Sequence, residues 1–346
     1  MTRTPEAVFL HIGHGKTGSS FLQSALALSR AALAEHGFVY PIDEDAAETA
    51  GKGHISGGNL RASAGALSGM IERAGIGPGQ RLLISSESFF QYLFRNGAEF
   101  AREYDAVCPD VPLHVLCYLR DPVDHAISVY QQRVKRGGYT GTLAESLETY
   151  EIPARTISVL AALRDMGARI TVLNYSRHRD RLAATLADWL EIPEQALTRP
   201  ETGQVNRSLT MAELEFQRLM NIRLGGMSRR LVSDPLCNLA PEIRSETPPL
   251  DPAALEAFLE RVAAQVGASE YQALVPEGER PETGSVADHI DRFPAAPAEG
   301  GEVRFSFSAR QLEILVNALS EPLERQMRNQ QARRKKAAAA KQRKAG

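Results

Sequence analysis

The sequence predicts an α/β fold: a parallel sheet flanked by helices, followed by a helical, loop-rich C-terminal part. Three observations point there. Over the first 200 residues, short apolar runs alternate with patterns of helical period. The runs are continuously apolar, as strands buried on both faces require. Beyond Pro200 they cease, and longer helical patterns joined by connections rich in Gly, Pro and Ser take over.

The expected strands are Ala7–Ile12, Phe38–Tyr40, Arg81–Ser85, Leu113–Leu119 and Arg169–Asn174, each bounded by Gly, Pro or charge. Ser20–His36 reads as one helix, with Phe21, Leu22, Ala25, Leu28, Ala32 and Leu33 near one face and Gly37 as its stop. Asp180–Leu190 repeats the pattern, and Trp189 in it is expected in the core. Met211–Leu224, Pro252–Val266 and Ala309–Met327 read as later helices. The stripe Leu312, Leu315, Val316, Leu319 and Leu323 on the last of them is expected to pack into the core. Gly225–Leu250 and Pro276–Gly301 read as long covering loops. Residues 1–200 are then the α/β core, 201–330 a helical part that covers it, and 331–346 a basic tail without fixed structure.

Composition narrows the class. The chain has 346 residues, 43% of them hydrophobic and 24% charged, which excludes collagen-like and wholly disordered proteins. Cys108, Cys117 and Cys237 are far apart and odd in number, so they form neither a disulfide framework nor a CxxC zinc site. No apolar run reaches the roughly 18–20 residues that span a bilayer, and the apolar stretch in MTRTPEAVFLHIG is too short for a signal peptide. A cytoplasmic protein is expected. From Arg325 to Gly346 there are nine Lys/Arg and no Asp/Glu, so the rest of the chain carries −11 against the overall −2. That tail is expected to act as a solvated, frayed helix or to make weak contact with a membrane surface, with no nucleic-acid partner.

The chemistry is concentrated in Val8-Phe-Leu-His-Ile-Gly-His-Gly-Lys-Thr-Gly-Ser-Ser-Phe-Leu-Gln23. A strand leads through a glycine-bearing turn into a helix. Unpaired amides and the helix dipole make such a helix start an anion site. Gly13, Gly15 and Gly18 permit the turn, Lys16 adds a full charge, and Thr17, Ser19 and Ser20 add hydroxyl donors. A phosphate ligand is expected. The nucleoside-triphosphate loop GxxxxGK[ST] would need glycine at position 10, where Leu10 stands.

In its place, Lys16-Thr-Gly-Ser-Ser20 before an apolar helix resembles the 5′-phosphosulfate loop of sulfotransferases that use 3′-phosphoadenosine 5′-phosphosulfate (PAPS). A second segment carries the same resemblance. The strand Leu113–Leu119 ends in Arg120-Asp-Pro122 and a helix with Ser128 eight residues beyond the arginine. The family binds the 3′-phosphate with an Arg and a Ser at those positions. Arg is suited to planar, bidentate phosphate binding, and Pro122 to a first helical turn. His125 stands where the family often has Arg, and Gly15 where it often has Pro. The resemblance spans roughly residues 7–200 and is nearest to bacterial members. It implies a P-loop-like fold, PAPS as co-substrate, 3′-phosphoadenosine 5′-phosphate (PAP) as product, no metal, and a hydroxyl or amine acceptor, carbohydrate or glycolipid before peptide or small metabolite.

On that reading Lys16 stabilises charge on the leaving group, and a base takes the acceptor's proton. Two candidates are kept. His54 lies in the glycine-rich Gly51–Asn59, and Glu87 at the carboxyl end of the third strand, the edge where open α/β sheets hold ligands. His11 is expected to be buried in its strand, His14 to meet the cofactor through its backbone, and His114 and His178 to be structural or exposed. Asn206 and Arg207 are read either as further nucleotide contacts or, with Ser208 and Thr210, as the polar start of the next helix. Two other classes stay open: a Mg-ATP-dependent kinase built on Gly15-Lys16-Thr17, and a non-catalytic nucleotide-binding protein that uses its basic tail.

Overall fold

The computed structural model describes residues 4–45, 47, 58–200, 207–294 and 304–345, with 333–345 as helical backbone only. In chain order the main elements are β1 (Val8–Gly13), α1 (Ser19–Leu28), α2 (Arg30–Glu35), β2 (Phe38–Val39), α3 (Ala66–Arg73), β3 (Arg81–Ser86), α4 (Ser88–Val107), β4 (Leu113–Leu119) and α5 (Pro122–Gly137). They continue with α6 (Ile152–Asp165), β5 (Arg169–Asn174), α7 (Leu182–Leu190), α8 (Met211–Leu224), α9 (Ser233–Leu239), α10 (Pro252–Val266), α11 (Ser269–Leu274) and α12 (Ala309–Ala345).

The chain divides into two compact units. One comprises Met1–Val129, Ala144–Gly203 and Leu250–Arg292; the other Tyr130–Leu143, Gln204–Pro249 and Phe293–Gly346. The division therefore does not fall at residue 200. Tyr271 and Val275 are buried in the same cluster as the strands, which draws 250–292 into the first unit. Buried hydrogen bonds from Asn221 to the Val134 carbonyl and from the Leu209 amide to Gln131 draw 130–143 into the second.

The first unit is a five-stranded, wholly parallel sheet in the order β2-β3-β1-β4-β5. Side chains alternate between its faces with period two. Val8, Leu10, Ile12, Val115, Cys117 and Leu119 join α3, α4 and α6 on one face. Phe9, Leu83, Leu116 and Tyr118 join α1, α2 and α7 on the other. The chain leaves β1 for β2 and β3 on one side and returns to β4 on the other. In open α/β sheets such a topological switch is where ligands gather, outside the carboxyl ends of the strands.

Four element expectations change here. The helix expected over Ser20–His36 is two helices, because Ser29 turns its hydroxyl onto the Ala25 carbonyl at 2.7 Å and accepts from the Thr198 amide at 2.7 Å. Gly225–Leu250 is not a bare loop. It holds a 3₁₀ turn, Gly225–Arg230, and α9, pinned by Ser228 and Ser233 bonding Gln217. Within Pro276–Gly301, Val286–His289 forms a helical turn. Residues of the tail continue α12 as helix to Ala345, as their Ala, Lys, Arg and Gln content favours. No helix among the described residues is long and apolar enough to cross a membrane.

The second unit is built around Arg207. Its Nη1 and Nη2 grip both oxygens of Glu213 at 2.6 and 2.7 Å, and its remaining donors meet the carbonyls of Ser208, Leu236 and Ala240. All five N–H groups are used, and the side chain is 2% exposed. This corrects the expectation that Arg207 contacts a nucleotide: it has no donor left for a phosphate. Thr210 is the N-cap of α8, in a capping box with Glu213.

Burial opposes the Glu213 carboxylate, but hydrogen bonds from Arg207, Gln311 and the Thr210 amide outweigh it and hold the group below its ordinary 4.5. That contribution to stability is complete above the ordinary value and is lost as pH falls through the lowered one. Glu213→Ala leaves a buried, uncompensated guanidinium and is expected to cost about 3–5 kcal/mol in urea unfolding at neutral pH. The loss should shrink in acid, where the wild type no longer has the ion pair.

Candidate active site

The segment between β1 and α1 is a left-handed turn. Gly15, Lys16 and Gly18 have φ of 81°, 57° and 79°. Gly18 cannot be replaced without strain: besides its φ, a Cβ there would lie 2.6 Å from Leu182 Cδ1 and 2.9 Å from Tyr175 Cε2. As N-cap of α1 it supplies no side-chain cap, so the first amides of α1 keep their donors for another partner. Gly13 gives room of a different kind, since its Cβ would stand 2.6 Å from Ser19 Oγ and 3.3 Å from Thr17 Oγ1.

Those two hydroxyls are buried, and neither has a hydrogen-bond partner among the described residues. Ser20, next on the helix, is exposed. Unsatisfied buried hydroxyls cost free energy unless a ligand or water meets them. Here they stand beside uncapped helix amides and Lys16, a donor set that fits an anion with several acceptor oxygens.

The second motif arrives at the same place. Arg120, at the end of β4, donates from Nη1 to the Lys16 carbonyl at 2.9 Å, joining segments 104 residues apart. Its guanidinium lies 5.4 Å from the Tyr175 ring. The other N–H groups of Arg120 have no hydrogen-bond partner among the described residues. Asp121 is used structurally, accepting from Asn174 Nδ2 at 3.1 Å and the Glu282 amide at 2.9 Å. Ser128 is half-buried on α5, two turns beyond Pro122.

His125 does something that sequence reading missed. Its Nε2 lies 3.2 Å from the Gly15 carbonyl and 3.0 Å from His14 Nδ1, and its Nδ1 3.0 Å from the Tyr150 hydroxyl. A carbonyl only accepts, so one proton arrangement satisfies all three contacts. Tyr150 donates to His125 Nδ1, and the Nε2 proton of His125 is shared between Gly15 and His14. His14 then carries its own proton on Nε2, a buried atom with no partner among the described residues, as a further donor at the turn. Burial pushes His14 down to about 4, with Arg120 adding to the effect. Burial, His14, Arg120 and Lys16 push His125 well below its ordinary value. Burial also holds Tyr150 in its protonated form. His14 thus joins the turn to α5 through its side chain.

Of the two candidate bases, Glu87 is described. It follows β3 at the N-cap of α4, is half-buried, and its carboxylate has no hydrogen-bond partner among the described residues. His54 and Asn206 lie outside the described residues. The segment that follows His54 is anchored: Asn59 exchanges backbone and side-chain bonds with Ser85 at 3.1 and 2.9 Å and donates to the Leu83 carbonyl. Gly58 lies so close to β3 that a Cβ would overlap the Ser85 carbonyl. Gln23 is also buried, with both amide atoms unpartnered among the described residues, and the isolated motif gives no sign of this. His11 is buried in β1, bonded to Ser85 Oγ at 2.8 Å. His114 stacks on Phe9, and His178 pairs with Glu279.

Because the folded values of His14 and His125 lie below the ordinary 6.5, the unfolded chain takes up protons first as pH falls. Stability is expected to decline from about pH 6.5 towards 4 in equilibrium unfolding, and His14→Gln should flatten part of that slope.

Compared with known proteins, the chain matches no family model, and no curated protein matches it either.

Proposed function

We propose that this chain is a sulfotransferase that moves a sulfuryl group from PAPS to a hydroxyl or amine acceptor, on a P-loop-like fold. One observation carries the reading: the hydrogen bond from Arg120 to the Lys16 carbonyl joins the two phosphate-type motifs at the turn before α1. The strand order with β1 beside the switch, and the left-handed turn after it, support the fold assignment.

In this reading the amides that open α1, with Thr17, Ser19 and Ser20, bind the 5′-phosphosulfate. Arg120 and Ser128 bind the 3′-phosphate, through the guanidinium donors that Lys16 does not use. The acceptor oxygen attacks sulfur, and the bond from sulfur to the bridging phosphate oxygen breaks, with its electron pair departing on PAP. The acceptor's proton passes to His54 or Glu87. Lys16 and the helix start stabilise the charge that gathers on the bridging oxygen, the kind of preorganised contribution worth about 10²–10³ in rate. His14 and His125, kept neutral by burial and by the cations around them, hold the turn without adding a competing charge. A carbohydrate or glycolipid is the acceptor class we favour. The three cysteines are buried and unbridged, which suits a reducing, cytoplasmic setting.

Calorimetric titration of PAP, with and without Mg²⁺ and beside an ATP control, tests the reading. PAP is expected to bind without metal, and Lys16→Ala to weaken it by tenfold or more. Arg120→Ala should abolish the preference for PAP over adenosine 5′-phosphate, which lacks the 3′-phosphate, whereas Lys16→Ala should not. ATP binding that depends on Mg²⁺, with no PAP binding, would replace this proposal with the kinase.

A further inference from the structure

The second unit buries an amine against a thiol. Lys135, near the end of α5, and Cys237, on α9, are each 3% exposed. Lys135 Nζ donates to the Arg207 carbonyl at 2.9 Å, and Cys237 Sγ donates to the same oxygen at 3.5 Å. The two side chains also hydrogen-bond each other. The helices are held so that they meet. Ser233 Oγ donates to the Lys135 carbonyl at 2.9 Å, and Cys237 lies one turn beyond Ser233 on the same face of α9. At the other end of α9, Arg207 donates to the Leu236 and Ala240 carbonyls. All of these residues belong to the second unit.

Lysine is rarely buried to this degree, because desolvation opposes its charged form. Here burial holds Lys135 below its ordinary 10.5 against the opposing pull of Cys237, with Arg136 and Arg207 adding to the effect. The amine is thereby favoured in the neutral form that acts as base or nucleophile. The other cysteines differ. Cys108 and Cys117 sit in the core of the first unit, where burial pushes their thiols up to about 11 and about 12. A thiol reacts with peroxide as its thiolate, so those two are held inert. Among the described residues, Cys237 is the one cysteine whose sulfur meets an amine.

We propose that Lys135 and Cys237 form a reversible redox link: hydrogen peroxide oxidises the thiol, and the amine captures the product as a sulfur–nitrogen bond. In the first step Cys237 passes its proton to Lys135, and the sulfur attacks one peroxide oxygen. The O–O bond breaks, and the departing hydroxide recovers the proton as water. Sulfur has lost two electrons to the peroxide and is a sulfenic acid. In the second step Lys135 Nζ attacks the sulfur and the S–O bond breaks. The hydroxide leaves with one amine proton, as a second water. The nitrogen keeps one N–H, so the Arg207 carbonyl retains a donor. An amine already in contact outcompetes a second peroxide that must diffuse in. Local opening of an element as short as the seven-residue α9 admits a reagent as small as peroxide. The link joins α5 to α9 and closes residues 135 to 237 into a ring, so oxidation staples the second unit. The inference is independent of the sulfuryl-transfer reading.

Peptide mapping of the full chain by mass spectrometry, before and after treatment with hydrogen peroxide, tests it. The expected product is the Cys237 peptide joined to the Lys135 peptide, about 2 Da lighter than their sum and parted again by dithiothreitol. Cys108 and Cys117 should remain thiols in the same digest. Cys237→Ser should abolish the joined pair, and Lys135→Met should carry Cys237 on to its sulfinic acid. The oxidised wild type should unfold at a higher urea midpoint than the reduced, and Cys237→Ser should show no such rise. The joined pair is read in the wild type, so the test survives a variant that fails to fold. Recovery of Cys237 from the oxidised wild type as a free thiol or a sulfinic acid overturns the proposal, as does equal oxidation of Cys108 or Cys117. A joined pair with an unchanged midpoint overturns the stapling role.

Discussion

The site depends on a backbone conformation before it depends on any side chain. Lys16 is a non-glycine residue at φ 57°, between glycines at 81° and 79°. A left-handed L-residue costs about 1–2 kcal/mol, and the turn persists because its carbonyls are held from outside. Arg120 grips the Lys16 carbonyl and His125 the Gly15 carbonyl. Both holders come from the β4–α5 junction, so the two halves of the sheet meet at the turn. With these carbonyls engaged, the hydroxyls of Thr17 and Ser19 lie buried beneath the turn, beside Gly13.

The electrostatic arrangement follows from that geometry. Lys16, Arg120 and the N-terminus of α1 concentrate positive potential where the orphaned Thr17 and Ser19 hydroxyls lie. The two histidines inside this field cannot afford a proton as well, and burial with nearby cations keeps them neutral. A neutral His125 can still donate to Gly15 while accepting from Tyr150, whereas an arginine there could only donate. His125 is thus a neutral link between the turn and Tyr150, two residues before α6.

Much of this was legible in the sequence, because strands buried on both faces leave continuous apolar runs. β4 and β5 fall where the runs predict, and β1, β2 and β3 within a residue at their ends. That the glycine-bearing segment turns sharply into a helix was legible in Gly15 and Gly18, which take the left-handed conformation there. What escaped reading is what depends on distant partners. Ser29 breaks a helix of good propensity because Thr198 needs its hydroxyl. Arg207 looks like a phosphate contact until Glu213 is seen to saturate it. Of the α12 stripe expected in the core, Leu315 packs there beside Ile314 and Leu319 is half-buried, whereas Leu312, Val316 and Leu323 are exposed, because only one edge of the stripe meets α9. His125 was visible only as a departure, since its three partners come from other segments.

The most direct measurement is a crystal structure of the chain with PAP bound. The account predicts the 5′-phosphate against the amides and hydroxyls of Thr17 to Ser20, and the 3′-phosphate between the free donors of Arg120 and the Ser128 hydroxyl. It also predicts that the Arg120–Lys16 and His125–Gly15 contacts remain as they are. PAP bound away from this turn, or an Arg120 that must release Lys16 before the nucleotide fits, would contradict it.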